Sequence, residues 1–78
     1  MNINIKVYLH TKGTNFFQSG IFSVLISDFK KDPDWTSAIA AYEWIQQINK
    51  NMGSSVRIDQ VVYDDIDITE LVKKVRPN

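Results

Sequence analysis

The sequence predicts an α+β domain: a β-hairpin, a long helix, a third strand and a short C-terminal helix, in the order β-β-α-β-α. The helix would pack on one face of a three-stranded sheet. Three observations carry this expectation. Apolar Ile3, Ile5, Val7 and Leu9 alternate with Asn4, Lys6, Tyr8 and His10. Asp32-Pro33-Asp34 opens a stretch of helical periodicity that runs to Met52. Asp67-Ile68-Thr69-Glu70 has the form of an Asp-led capping box just ahead of a last apolar stripe.

Period two over residues 3–10 is the signature of a half-buried strand. Lys12-Gly13-Thr14-Asn15 reads as a turn, because Gly13 or Asn15 tolerates a positive φ. Phe16 to Phe29 is rich in β-branched and aromatic residues, so it reads as a second strand closing a hairpin. A helix competes there, since Phe17, Ile21, Leu25 and Phe29 are four apart. Gly20 and the β-branched Ile21, Val24 and Ile26 weigh against it.

Asp32 is placed to cap the long helix, Pro33 suits its first position, and Asp34 complements the helix dipole. Ala38, Ala41, Ile45, Ile48 and Met52 then fall on one stripe. Trp44 flanks it on one side and Trp35, Ile39 and Tyr42 on the other. Gly53 suits a left-handed helix stop and Ser54-Ser55 a loop. Val56, Ile58 and Val62 alternate with Arg57, Asp59 and Tyr63, which gives the third strand. In the last element Asp67 would cap and Glu70 reach back, with Ile66 and Leu71 as a hydrophobic staple. Ile68, Leu71, Val72 and Val75 form its apolar face, Lys73, Lys74 and Arg76 sit near its end, and Pro77 stops it. The third strand could lie beside the first, antiparallel, or beside the second, parallel through a crossover.

Residues 1–78 are too few for more than one domain. The chain is 44% hydrophobic and 23% charged, which suits a folded core rather than disorder. Cys is absent, so disulfides, thiolate metal ligands and a Cys nucleophile are excluded. Residues 1–6 lack a basic stretch followed by a long apolar one, so no secretory leader is expected. Ile21 to Ile26 is too short and too rich in serine to cross a bilayer, so no membrane role and a cytoplasmic location are expected. The formal net charge is +0, but it is unevenly spread. Residues 1–31 and 71–78 are basic, while residues 32–70 hold nearly all the carboxylates. Such segregation suits oriented docking better than bulk attraction to nucleic acid.

With a turn at Lys12 to Asn15, the hairpin pairs Val7 with Gly20, Ile5 with Phe22 and Ile3 with Val24. One face then carries Ile3, Ile5, Val7, Leu9, Phe22, Val24 and Ile26, for the long helix to cover. The other carries Asn4, Lys6, Tyr8 and His10 beside Phe17, Ser19, Ile21, Ser23 and Leu25. One long helix covers only one face. Unless the C-terminal helix covers the second, a semi-apolar surface faces water, and such surfaces mark interaction sites.

Chemistry-bearing motifs are few. His10 is the single imidazole, and no nucleophile-elbow pattern accompanies it. Asp64, Asp65, Asp67 and Glu70 are dense enough to consider a hard cation. The EF-hand pattern is missing, however, and a turn plus a helix cap explains the same residues. No glycine-rich phosphate loop is present. No catalytic residue, metal or cofactor is therefore expected, and an enzyme is not expected.

The expectation is a small non-enzymatic protein-binding module. It would act as an inhibitor or adaptor by occupying a partner protein's surface, with a homodimer as one form. Tyr8, Phe17, Ile21 and Leu25 would be the anchors, with Lys6 and His10 on the rim. Ile21→Asp should abolish association without unfolding the chain. The alternative is single-stranded nucleic-acid binding through Lys6, Tyr8, His10 and Lys12, a basic and aromatic set along one strand. Size, lack of Cys and a helix-backed sheet are similar to those of many small bacterial and phage proteins, a likeness that involves no motif.

Overall fold

The computed structural model describes residues 1–52 and 56–75. The expected Gly53 stop, the Ser54-Ser55 loop and the Arg76-Pro77 end lie outside the described residues. The chain folds as an α+β domain with four strands and three helices among the described residues, one strand and one helix more than expected. The strands are β1 (Asn2–Thr11), β2 (Thr14–Ser23), β3 (Arg57–Tyr63) and β4 (Ile66–Asp67). The helices are α1 (Ile26–Lys31), α2 (Pro33–Met52) and α3 (Thr69–Lys74). The sheet order is β2-β1-β3-β4, antiparallel throughout, so β3 lies beside β1.

The hairpin turn is tighter than expected. Thr11 pairs with Thr14, leaving Lys12 and Gly13 as a two-residue loop with φ of 49° and 81°. Two successive positive φ values follow the right-handed twist of the flanking strands, whereas a four-residue loop is not needed to reverse them. The pairing is therefore Ile3 with Phe22, Ile5 with Gly20 and Val7 with Gln18. This register differs from the expected one by two residues. Because side chains alternate with period two, the assignment of residues to faces survives. Asp64 and Asp65, both at positive φ, make the equivalent two-residue turn between β3 and β4.

The expected second strand ends early. β2 stops at Ser23, opposite Asn2, and Val24 still exchanges hydrogen bonds with Met1. The next residues satisfy their backbone locally instead: the Phe29 N–H donates to the Leu25 carbonyl at 3.0 Å, and the Asp32 N–H to the Asp28 carbonyl at 3.1 Å. The four-residue spacing of Leu25 and Phe29 thus belongs to a short helix. Phe29 packs edge-on against Tyr63 at 6.3 Å, while Ile26, expected on the inner sheet face, is exposed.

α2 starts as its sequence requires. The Asp32 carboxylate accepts the Trp35 N–H at 3.1 Å, and the Thr36 N–H donates to the Asp32 carbonyl at 3.0 Å. Ala38, Ala41, Ile45 and Ile48 are buried on Ile3, Ile5, Val7 and Leu9. Trp44 meets Phe22 with ring centroids 4.7 Å apart. Ile68, Val72 and Val75 join the same core, so α3 lies on the same side of the sheet as α2. All the buried apolar residues form one cluster between a helical layer and a single sheet face.

Three local expectations are corrected. The even alternation through the third strand breaks at Asp59, where a bulge inserts one residue between the Leu9–Ile58 and Tyr8–Gln60 pairs. Beyond it Val61 and Tyr63 face the core, and Val62 turns to the outer face opposite Lys6. α3 begins at Thr69 rather than directly after an Asp67 cap. Asp67 still serves the helix start, accepting the Thr69 N–H at 2.9 Å and its hydroxyl at 2.6 Å. The Thr69 oxygen in turn accepts the Val61 N–H at 3.0 Å, which ties α3 to β3. Ile66, expected as half of a staple, is exposed in β4.

Candidate functional site

The face of the sheet opposite the helices is uncovered. Its rungs follow from the β1–β2 register: His10 with Asn15, Tyr8 with Phe17, Lys6 with Ser19, Asn4 with Ile21, Asn2 with Ser23. β3 extends three of these rungs, placing Arg57 beside His10, Gln60 beside Tyr8 and Val62 beside Lys6. On this face Tyr8 is 39% exposed, Phe17 50% and Ile21 71%, high values for residues of their size.

Tyr8 and Phe17 are directly opposed, and their rings meet at 4.9 Å with a 41° tilt. Such a pair stabilises the strand contact and still presents a ring surface outward. Lys6 is the neighbouring rung. Ile21 lies two rungs from the aromatic pair, about 13 Å along the strand, with Lys6 and Ser19 between. The apolar residues are therefore brought onto one face but not into one patch. Leu25 is not on a strand at all: it is the residue before α1, beyond the last rung, and 69% exposed.

The electrostatics of the face change from strand to strand. β2 has no charged residue, β1 contributes Lys6 and His10, and β3–β4 contributes Arg57, Asp59 and Asp67. His10 does not stand alone on the rim. Its Nδ1 lies 2.7 Å and 2.9 Å from the two Asp59 oxygens, an exposed pair made by the bulge. Lys12 sits in the hairpin turn at the far end.

The acidic turn is tied into the fold. The Asp64 carboxylate accepts the Asn4 N–H at 3.2 Å, and the Asp64 N–H donates to the Asn4 carbonyl at 3.0 Å. Asp67 accepts from Thr69 and from Gln60 Nε2 at 3.1 Å; the Thr69 bonds chiefly, then that of Gln60, hold its carboxyl below the usual carboxylate range. On the helical side, the buried Tyr63 hydroxyl donates to Asp34 at 2.6 Å. Burial first, then that bond and the Asp34 charge, push its pKa up to about 12. Among the described residues no group of three His, Asp or Glu side chains converges as a metal site, and no helix is long and apolar enough to cross a membrane.

Gln60 and Val62 belong to this face although alternation alone omits the first and misplaces the second. A signal was available: Ile58 and Val61 are three apart, which no single strand parity accommodates. The chain was compared with family models, with curated proteins and with solved structures, and none matches it.

Proposed function

We propose that the protein is a small non-enzymatic binding module that occupies a partner protein's surface with the open face of its sheet, as an inhibitor or adaptor does. The observation that supports this is the Tyr8–Phe17 ring pair, exposed at the middle of a sheet face that no helix covers. A buried core made wholly on the other face leaves these side chains without a structural task that needs their size. Aromatic residues ringed by polar ones are the usual composition of a protein-binding centre. Lys6 and the His10–Asp59 pair give the surrounding rim both signs of charge, which orients a partner. Ile21 and Leu25 extend the contact at one end.

Immobilised protein exposed to a lysate of the organism that encodes it tests the reading. A protein retained by the wild type and released by Ile21→Asp and by Tyr8→Thr supports it, provided both variants keep the native circular dichroism. Equal retention by all three removes the face from the account.

The nucleic-acid alternative uses Lys6, Tyr8 and His10 with Lys12, and the ring pair would serve it as a stacking platform. Its support is weaker because Asp59 occupies His10 and Asp67 lies on the same face, opposite Val62. Salt-sensitive binding of a labelled single-stranded oligonucleotide at micromolar protein would favour it over the protein partner.

A further inference from the structure

β2 is an outer edge of the sheet, and the direction of its backbone groups is readable residue by residue. The Met1 ammonium donates to the Val24 carbonyl at 3.2 Å, and the Val24 N–H donates to the Met1 carbonyl at 2.8 Å. Met1 and Val24 are thus a mutually bonded pair. On the unbroken register Ile3–Phe22, Ile5–Gly20, Val7–Gln18 and Leu9–Phe16 are bonded pairs too, since such pairs recur every second residue. The N–H and C=O groups of Asn15, Phe17, Ser19, Ile21 and Ser23 therefore point away from β1, along the free edge.

β2 has none of the features that blunt an edge. Its 10 residues, TNFFQSGIFS, include no charge and no proline, and its register with β1 has no bulge. The opposite edge is β4, only 2 residues long, and the stretch of β3 it does not pair, which is blunted by Arg57, Asp59 and a bulge.

We propose that β2 pairs antiparallel with β2 of a second copy of this chain, about a twofold axis through Ser19, joining the two sheets edge to edge. An axis normal to the sheet keeps both helical layers on one side, so odd residues face odd residues, the ones whose backbone groups are free. With the axis at Ser19, Phe17 lies opposite the partner's Ile21, and Asn15 opposite the partner's Ser23. Aromatic against β-branched is a favourable cross-strand pair. Centring on Gln18 sets Phe17 against Ser19 and Ile21 against Asn15; centring on Gly20 sets Phe17 against Ser23. Of the three, only the Ser19 centre matches apolar with apolar on the outer face.

Self-pairing sets the residues at the axis near their own copies, and an uncharged strand meets no like-charge repulsion there. The pairing supplies about ten backbone hydrogen bonds. It also closes, because the edges left at the two ends are the short β4 strand and the stretch of β3 beyond it, which carries Arg57, Asp59 and a bulge. This inference does not rest on the partner-binding reading: its ground is the free backbone edge of β2, although Phe17 and Ile21 also belong to the outer face.

Light scattering on a sizing column, at about 100 µM protein so that a micromolar dimer is filled, tests it. The expected mass is twice the 9.0 kDa of the chain. Ser19→Pro removes an N–H that points to the free edge and none that bonds β1, so it should give a folded monomer. Ser19→Glu and Ser19→Lys should each be monomeric, and an equal mixture should recover the double mass. If the proline variant does not fold, the charge pair decides alone. A monomeric wild type, or a dimer that persists in both single charge variants, overturns the proposal.

Discussion

Ile5 and Ile21 are the same residue type on adjoining strands of one sheet, yet Ile5 is fully buried and Ile21 is 71% exposed. Ile5 points at α2 and the core; Ile21 points to the side without helices. The difference separates two tasks. The inner face, with α2 and α3, holds the fold together by burying one apolar cluster. The outer face contributes little burial, so large apolar side chains there are not accounted for by stability. A working surface is therefore expected on the face that the core does not use.

The largest effect should come from the inner face. Ile5→Ala leaves a cavity beneath α2 and should cost about 3 kcal/mol in urea unfolding. A loss below about 1 kcal/mol would mean that the two faces are not so unequal.

A smaller effect tests the polar margin of the core. Tyr63→Phe loses the bond to Asp34 and should cost about 1 kcal/mol at neutral pH. Tyr63 also carries a pH dependence of defined sign. Its folded pKa is raised to about 12 from the ordinary 10.0, so its contribution is complete below pH 10 and is lost as pH rises toward 12. Unfolding midpoints measured from pH 9 to 12 should fall more steeply for the wild type than for Tyr63→Phe. Parallel slopes would contradict the assignment.

Asp67 titrates in the opposite sense. Its folded pKa is lowered by Thr69 and Gln60, so the contribution is present above the ordinary carboxylate pKa and is lost as pH falls through the folded one. Asp67→Asn should flatten the acid limb of stability, a small change visible in midpoints taken between pH 5 and 2. The smallest effect belongs to the outer face: Ile21→Ala should change stability by no more than about 0.5 kcal/mol. A loss like that of Ile5→Ala would show that something covers Ile21.

Much of the fold was legible because its signals are local. Ile3 to Leu9 alternate with one buried face, and Asp32-Pro33 marks a helix start by its own hydrogen bonding. The face assignment of β2 survived an error in turn length only because that error was two residues. The misses were places where a partner decides. α1 takes over where pairing with β1 stops, closing the Phe29 N–H onto the Leu25 carbonyl, a change that no propensity records. The Asp59 bulge depends on how β3 meets β1, and it alone brings Asp59 to His10. The outer face was legible as a set of residues, but not their spacing: Ile21 stands two rungs from the Tyr8–Phe17 pair, and Leu25 lies off the strands.

Tyr8 gives the most direct measurement, because it sits on a central strand, away from the β2 edge, and on the exposed face alone. Tyr8→Thr keeps a residue suited to a strand and removes the ring. Retention of a lysate partner by this variant should fall at least about tenfold, a difference of 1.4 kcal/mol in binding, while its unfolding midpoint stays close to that of the wild type. Undiminished retention by the folded variant would contradict the claim that the open face of the sheet is the working surface of this protein.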